Sequence, residues 1–371
     1  MLAAERRTAI MSQARRDGAV RVADMVTQLG VSDVTIRRDL DALVSQGLLL
    51  KVHGGAMLPG SRTPEEPTAA LTPRGPAVRA DGRGQPASEG SGPTIGVLVP
   101  KSSYYFKSMV DGIRATLAPL GGRLVLAVSD YAPEREPDLA KNLLDAGAEA
   151  LLLAPAAADR HTGVAAEWTC TLPAPTVLLE RRAPQPHAAA VSWVRTAHEN
   201  GAALAVRHLQ DLGHERIALF TRGDTPTAYS VEQGWRVAVA PGLEPLCISG
   251  RDLAGWPRWE REDTRRLVDR LLHAQATALL CHSDEDALAL LQSGLAELVA
   301  LPGELSVVAY DDEFAEFASP SLTAVCPPKR HVGRLAVQSA LDLLNEPGAP
   351  TRHIEIEPTL AVRDSTSAPT R

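Results

Sequence analysis

The sequence predicts an α/β protein in which an N-terminal winged helix-turn-helix precedes a larger two-lobed domain containing parallel sheets. Three observations carry this prediction. Residues 1–58 combine helical apolar spacing with a Gly-Gly hairpin, residues 59–93 are rich in Pro, Gly and Ser, and residues 94–371 alternate apolar strands with amphipathic helices. Such alternation is typical of parallel sheets that helices cover on both faces.

The first part of the chain reads as three helices. Apolar residues recur at helical spacing through Ala3–Asp17, a short strand surrounds Arg21, and Ala23–Leu29 continues as the second helix. Gly30 provides the tight turn expected between two crossed helices. The third helix is predicted from about Asp33 to Ser45, and a glycine two residues later stops it.

A hairpin follows the third helix. Leu48–Val52 and Ala56–Leu58 have strand-like composition and flank Gly54–Gly55, which is a strong turn signal. The hairpin is the expected wing, and it places Lys51 and His53 where each can meet a phosphate. His53 has a second interpretation as a packed wing residue, and the glycine pair has one as a purely conformational requirement.

The third helix has the features of a DNA-reading helix. Ser32 is a good N-cap, and an apolar stripe follows on one side of the helix, comprising Ile36, Leu40, Leu43 and Val44. Near the opposite side lie Thr35, Arg37 and Arg38. A small, cationic, hydrogen-bonding face at the start of a helix suits the DNA major groove. Arg37 lies on the flank, where a phosphate contact and an i,i+4 pair with Asp41 are equal alternatives.

The next segment and the charge distribution separate the head from the body. Residues 59–93 contain almost no large apolar side chain, which predicts a disordered linker. The formal charge is +2 over residues 1–58, zero over residues 59–93, and −9 over the remainder, within a whole-chain charge of −7. A weakly basic head on an acidic body is typical of a protein that contacts phosphates only through its head.

The body contains more strands than one sheet comfortably holds, which predicts two lobes. We expect the first lobe to span about 94–193 and 328–346, and the second about 195–327 and 348–366. Ligands of such folds bind beyond the carboxyl ends of the strands, where loops of both lobes converge.

Several classes of protein are disfavoured by what the sequence lacks. It has no apolar run near 18 residues and no signal-peptide pattern, which predicts a cytoplasmic protein without a membrane partner. Its four cysteines are far apart and form no metal knuckle. It has no Gly-rich phosphate loop, nucleophile elbow or HExxH string, so neither an enzyme nor a cofactor or metal is expected.

Two family resemblances strengthen this interpretation. The strings ERRTAI and VSDVTIRRDLDALVSQGLLLKVHGGAML closely resemble the DNA-binding module of DeoR-type regulators. The strings RHLQDLGHERIALF, HSDEDALALL and ELSVVAYDDEFAEFASPSLTAV resemble the sensor domain of LacI/GalR regulators, which is itself similar to periplasmic sugar-binding proteins. The chain therefore looks like a hybrid, with the head of one family on the body of another, joined by the linker where LacI-type regulators have a hinge helix.

The second resemblance implies where an effector binds. It places ligand contacts after the first body strand at Tyr105 and Phe106, and after a later strand at Thr196, with Arg195 beside it. The implied set of ligand contacts also contains Ser283, Glu285 and Asp311. Tyr229 stands where the family usually has an arginine, and Ser283 where it has an asparagine, so the resemblance leaves the class of the effector open.

Each implied contact has a structural alternative. Tyr105 and Phe106 could close the core at the cleft floor, and Asp311 could cap a turn. Asp284, Glu285 and Asp286 resemble a metal-binding cluster, but they are better explained as the first turn of a helix. Trp235 is expected in the core.

These observations together predict a DNA-binding transcriptional regulator, with repression as its expected mode of action. Its expected partners are double-stranded operator DNA, a small sugar-like effector, and a second copy of the chain in a homodimer. The alternative function is that of a solute-binding or sensor protein without DNA affinity.

Overall fold

The computed structural model describes the body far more completely than the head. It describes residues 92–370 except 103, 157–163, 185–190, 224, 240–245, 254–255 and 257–258, together with scattered positions between 6 and 57. The chain divides into two compact units, Met1–Gln85 and Pro86–Arg371. The predicted linker lies outside the described residues except for Gly92 and Pro93, and the Pro93 carbonyl accepts the Arg123 N–H at 2.9 Å.

The described parts of the head match the predicted helices and wing. Three strands form an antiparallel sheet in the order β1-β3-β2, namely β1 (Ala19–Arg21), β2 (Leu50–Val52) and β3 (Gly55–Met57). A small core holds the apolar side chains together, and its buried members are Ile10, Val20, Met25, Ile36, Leu40 and Leu43. The apolar stripe predicted for the third helix is thus confirmed at its described positions.

The first lobe is built on a fully parallel sheet in the order β14-β8-β7-β6-β4-β5. Its strands are β4 (Thr94–Val99), β5 (Arg123–Val128), β6 (Ala150–Leu153), β7 (Thr176–Leu179), β8 (Ser192–Thr196) and β14 (His353–Ile356). Helices α1 (Tyr105–Leu117), α2 (Glu136–Asp145) and α8 (Lys329–Asn345) cover it. Strands β4, β6 and β7 are buried along their whole length because helices pack on both faces.

The second lobe repeats this plan with one antiparallel edge. Its sheet has the order β10-β9-β11-β12-β13-β15, and only β15 runs against its neighbour. The strands are β9 (Ile217–Thr221), β10 (Cys247–Ser249), β11 (Ala278–His282), β12 (Ser306–Tyr310), β13 (Thr323–Cys326) and β15 (Thr359–Ala361). The helices are α3 (His198–Asp211), α4 (Pro226–Ala238), α5 (Arg261–His273), α6 (Asp284–Gln292) and α7 (Leu295–Leu298). The two-lobed α/β prediction is confirmed.

The predicted lobe boundaries were wrong at two places. Strand β8 continues to Thr196 within the first sheet, and β14 pairs in parallel with β8 rather than entering the second lobe. The run HIEIEPTLAVR therefore supplies one strand to each sheet, with Glu357 and Pro358 between them. Exposed and half-buried residues alternate along His353–Ile356, and this pattern suits an edge strand of either sheet. Only the strand with which it pairs decides which sheet it joins.

Helix α4 was not predicted. It begins after Thr225, whose hydroxyl accepts the Ala228 N–H at 3.2 Å, and Pro226 occupies its first turn. Trp235 on this helix is fully buried and donates its indole N–H to the Ile217 carbonyl at 3.1 Å. Its expected place in the core is confirmed.

Helices α1 and α8 cross at two glycines, Gly112 on α1 and Gly333 on α8. A Cβ at Gly333 would lie 2.3 Å from the Met109 carbonyl oxygen, and a Cβ at Gly112 would lie 2.2 Å from that of Arg330. We expect Gly333→Ala to lower the free energy of unfolding by about 1–3 kcal/mol, because overpacking outweighs the gain in helix propensity. Chemical denaturation measures this effect. Gly303→Ala is the matched control, since no atom of the described residues lies within 4 Å of a Cβ placed at Gly303. Equal denaturation midpoints for the two variants would contradict the prediction.

Candidate functional site

The two lobes face each other across a cleft at the carboxyl ends of their strands. The cleft has an empty volume of about 640 Å³, counting its solvent-open side. Its walls are formed by residues that directly follow β4, β5 and β7 in the first lobe and β9, β11 and β12 in the second. They are Lys101, Tyr104, Tyr105, Phe106, Tyr131, Glu180, Arg181, Arg222, Thr225, Thr227, His282, Ser283, Glu285 and Asp311.

Asp311 follows β12 and is buried in the wall of the cleft with φ at 95°. Its Oδ2 lies 3.0 Å from the Tyr104 hydroxyl, whereas Oδ1 has no partner among the described residues. Burial raises the pKa of Asp311 to about 7, and nearby Lys329 offsets only part of this rise. The carboxyl therefore changes its charge near neutral pH and retains an unused oxygen.

Unused hydrogen-bonding atoms occur at the strand ends of the second lobe. Within the described chain, the buried side-chain atoms that lack a partner are Thr221 Oγ1, His282 Nδ1 and Asp311 Oδ1. They come from the ends of the adjacent strands β9, β11 and β12, and the residues His282 and Asp311 line the cleft. Burial, with a smaller effect of Arg222, lowers the pKa of His282 to about 3, so its ring is neutral at physiological pH. Buried polar atoms without partners are rare, and two of them on residues of the cleft wall indicate a site for a polar ligand.

Tyr104 reaches across the cleft from the first lobe to the second. Its hydroxyl contacts both Asp284 and Asp311, and its ring stacks on Phe314 at 5.7 Å. Burial and the two carboxylates raise the pKa of Tyr104 well above its usual value, so it stays a phenol. One phenol proton serves only one carboxylate, so simultaneous bonding requires a proton on Asp311.

A second polar cluster lies where the chain passes from the first lobe to the second. The buried carboxylate of Glu180 accepts the Tyr105 hydroxyl at 2.7 Å and the Thr196 N–H at 2.9 Å, and it lies 3.1 Å from His198 Nε2. Burial alone would raise the pKa of Glu180, but His198 and the hydrogen bonds outweigh it and hold the pKa at about 2. His198 begins α3 of the second lobe and also contacts the Tyr310 hydroxyl at 3.1 Å, so its contact with Glu180 ties the two lobes together.

The structure brings most of the implied effector residues together. Tyr105, Phe106, Ser283, Glu285 and Asp311 all line the cleft, although Tyr105 also closes the core as its structural alternative proposed.

Two of the implied residues do not line the cleft. Thr196 is fully buried at the end of β8, and both its N–H and its hydroxyl are used by Glu180. Tyr229 is half-buried on α4, which contributes Thr227 to the cleft instead. The family arginine position therefore has no counterpart in the wall. Arg195 is buried and pairs with Glu199 and Glu355.

Sequence reasoning missed part of the cleft, above all Glu180, Arg181 and His282. Their signal was present, because each directly follows or ends an apolar strand run, VLLER in one case and ALLCH in the other. Polar residues at such ends mark the ligand edge of a parallel sheet. Tyr104, Tyr131 and Arg222 had the same signal after β4, β5 and β9.

The acidic triplet belongs to the first turn of α6, as its structural interpretation stated. Asp284 Oδ2 accepts the backbone N–H groups of Glu313 and Phe314, both at 2.7 Å. Asp286 accepts the Trp256 indole N–H at 2.9 Å and pairs with Arg222. The carboxylates are thus used as internal hydrogen-bond acceptors, and no group of potential metal ligands occurs among the residues that could be described.

In the head, only two of the predicted DNA contacts have described side chains. Thr35 and Arg38 are both helical, Thr35 half-buried and Arg38 exposed. The neighbouring Asp39 is buried and binds Arg6 at 2.7 Å, which joins the first and third helical segments. Ser32, Arg37, His53 and the side chain of Lys51 lie outside the described residues, although the backbone of Lys51 belongs to β2.

Comparisons with known proteins identify both units. Residues 6–62 match the DeoR-like helix-turn-helix domain, and residues 206–366 match the periplasmic binding protein-like domain. The arabinose metabolism transcriptional repressor of Geobacillus stearothermophilus is 25% identical over 352 residues, covering 92% of this chain and 90% of the relative. The HTH-type transcriptional repressor PurR of Vibrio cholerae is 26% identical over 277 residues, covering 73% and 80%.

A solved structure shows the same fold. The LacI family regulator of Enterococcus faecium, crystallised with ribose, has a TM-score of 0.58 and 21% identity, covering 74% of this chain and 99% of its own. The chain is a DNA-binding transcriptional regulator. More particularly, it joins a DeoR-like helix-turn-helix domain to a sensor with the LacI-family fold, so both predicted resemblances are confirmed. The relatives named above are repressors rather than enzymes, and no helix in the described parts of the chain has the length and apolarity needed to cross a membrane.

Proposed function

We propose that this regulator is an effector-controlled repressor whose cleft binds a small, polar, sugar-like molecule. The observation that carries the proposal is the pair of unused buried atoms on His282 and Asp311, two residues that line the cleft. A ligand with several hydroxyl groups satisfies both atoms, and the aromatic rings of Tyr105 and Phe106 suit the apolar face of a sugar. Repressor names and a ribose-bound neighbour support the same class.

Effector control requires that the ligand bind two arrangements of the lobes with different affinity. Tyr104 already bridges the lobes through Asp284 and Asp311. An effector hydroxyl that donates to Asp311 favours the ionised carboxylate, which prevents Tyr104 from bonding to both carboxylates at once, and this couples occupancy of the cleft to lobe geometry. A homodimer then presents two heads to a palindromic operator, since one small head gives little specificity alone. Such a protein acts as a binding regulator without a cofactor, in the cytoplasm where the chromosome lies.

The DNA-binding half of the proposal is tested at the third helix, where Ser32, Thr35, Arg37 and Arg38 are the proposed contacts, with Lys51 and His53 on the wing. We expect Arg38→Ala to weaken binding to the DNA upstream of the protein's own gene and to reduce the slope of log K against log salt by about one, because one phosphate or base contact is lost. The double variant Arg37→Ala/Arg38→Ala should weaken it further. Fluorescence anisotropy across a salt series measures both quantities.

Arg334→Ala is the matched control for this experiment, since Arg334 is an exposed arginine on α8 of the body. Its binding should equal that of the parent. If the double variant binds as the parent does, the third helix is not the DNA-reading element. If the parent has no affinity for any duplex at low salt, the chain is a solute sensor without DNA affinity, which is the alternative function.

A further inference from the structure

The guanidinium of Arg181 is an unusual feature of the cleft. Arg181 is buried with 3% of its surface exposed, yet it lines the cavity. Its Nε donates to the Pro155 carbonyl at 2.9 Å and its Nη1 to the Glu180 carbonyl at 2.8 Å. No ion pair within the described chain involves it, and its Nη2 has no hydrogen-bond partner there. Buried charges are normally paired, so this cation lacks an anionic partner.

The nearby carboxylates do not fill this role. Glu180 is the adjacent residue, but its oxygens are occupied by Tyr105, Thr196 and His198. Glu136 is buried as well and accepts the Ser129 hydroxyl and the Ala156 N–H at 3.0 and 2.7 Å. Both carboxylates help to keep Arg181 charged against the effect of burial, which lowers its pKa. Its Nη2 has no carboxylate partner among the described residues, and Arg181 itself lines the cavity.

Two further positive features of the cleft lie on the same side as Arg181. Lys101 stands after β4, with its ammonium group 5.7 Å from the centre of the Tyr131 ring. Helix α1 begins at Tyr105 without an acidic residue in its first turn and without a side-chain cap. The N-terminus of a helix favours anions, and here it adds to the field of a buried guanidinium.

The second lobe has the opposite character. Asp311 presents an unused oxygen, and Glu285 is half-exposed at the rim. The cation on this side, Arg222, is already paired with both Glu285 and Asp286 at 3.3 Å. An anionic group placed here would meet carboxylates, whereas hydroxyl groups would find acceptors. The cleft is therefore electrostatically divided between its two lobes.

We infer that the effector is an anionic polyhydroxy compound whose negative group lies against Arg181 in the first lobe and whose hydroxyl groups bond to Asp311 and His282 in the second. This inference rests on the proposed function and gives the effector its charge and its orientation. Two sources supply the chemistry, a phosphate ester of a sugar and a sugar carboxylate. An arginine fork binds either group in bidentate fashion.

The test compares matched ligands on the full-length protein by isothermal titration calorimetry. The probes are D-ribose and D-arabinose, their 5-phosphates and the corresponding aldonates, with inorganic phosphate as the anion alone. At least one anionic probe should bind about tenfold or more tightly than its neutral parent, as a charge-assisted contact to a buried arginine provides. The series that binds distinguishes the phosphate from the carboxylate source.

Two variants locate the anion. Arg181→Met should remove the preference for the anionic member while leaving affinity for the neutral sugar within about threefold. Lys101→Met provides the same readout with an exposed residue if Arg181→Met does not fold, and it should reduce the preference in part. Arg207→Met on the exposed face of α3 is the control and should change neither affinity.

The outcomes separate the inference from the proposed function. Equal affinity for neutral and anionic members, or a preference that survives in both Arg181→Met and Lys101→Met, overturns the inference and leaves a neutral sugar as effector. Binding of inorganic phosphate as tight as that of the sugar phosphate would overturn the assignment of hydroxyl contacts to the second lobe. If no anionic probe binds, the inference is overturned. Binding of the neutral sugars then tests the proposed function separately.

Discussion

Replacing Asp311 by asparagine is expected to weaken effector binding by about 10- to 100-fold at pH 8, where the carboxyl is ionised, since a hydrogen bond from a ligand hydroxyl to a charged acceptor contributes about 1.5–3 kcal/mol. Asp311 Oδ1 is the unused atom that such a hydroxyl reaches. DNA binding should be unchanged in the absence of effector, because the proposed operator contacts lie in the head. Titration of the effector into the full-length variant measures the loss.

The same variant should be more stable than the parent at alkaline pH. The folded pKa of Asp311 is about 7 and its ordinary value is 3.8. A raised pKa means that the folded state holds a proton that the unfolded state releases, so the favourable contribution exists below about 3.8 and is lost as pH rises through 7. At pH 8 the parent must bury an ionised carboxylate, and Asp311→Asn removes this requirement. The gain in free energy of unfolding should therefore be larger at pH 8 than at pH 5.

Asp145→Asn is the control for both measurements, since Asp145 is exposed at the end of α2. It should alter neither effector affinity nor the pH dependence of stability. If Asp311→Asn binds effector as well as the parent, Asp311 does not belong to the binding site. If the variant is destabilised equally at pH 5 and pH 8, the carboxyl is not protonated in the folded protein.

Loss of the Glu180 carboxylate should have the largest effect on stability. Glu180→Ala leaves the Thr196 N–H, the Tyr105 hydroxyl and the His198 ring without their buried acceptor. Breaking a buried pair by removing one partner costs about 3–5 kcal/mol. We expect a loss of this size in urea denaturation of the body. Since the cluster joins the end of β8 to the start of α3, the variant should also bind effector more weakly.

The lowered pKa of Glu180 also sets how the stability of the folded protein changes with pH. The folded pKa of Glu180 is about 2, below its ordinary 4.5. A lowered pKa stabilises the fold above about 4.5, and this contribution is lost as pH falls towards 2. The parent should lose stability between pH 5 and pH 3 more steeply than Glu180→Gln, which has no proton to bind. Glu167→Gln on an exposed turn is the control, and a Glu180→Ala cost below 1 kcal/mol would show that the cluster contributes little to stability.

The sequence was sufficient for the elements that depend on local pattern. The apolar spacing of Met109, Val110, Ile113 and Leu117 matches the buried face of α1, and the apolar run AEALLLAP contains β6. Burial of one helix face or of a whole strand leaves a periodic record in the chain. Helix α4 was missed because its sequence, PTAYSVEQGWRVA, mixes small, polar and aromatic residues without a clear stripe.

The sequence by itself determined the order of modules, the strand-helix alternation and the part of the cleft formed by residues 105–106 and by Ser283, Glu285 and Asp311. Only the tertiary structure decided that β14 joins the first sheet, that Thr196 is used by Glu180, and that Tyr104 meets Asp311. It also decided that the Arg181 guanidinium is buried without a carboxylate partner within the described chain. The physical reason is range: periodicity records whether a residue is buried, whereas hydrogen-bond partners separated by up to 207 residues depend on how two sheets face each other.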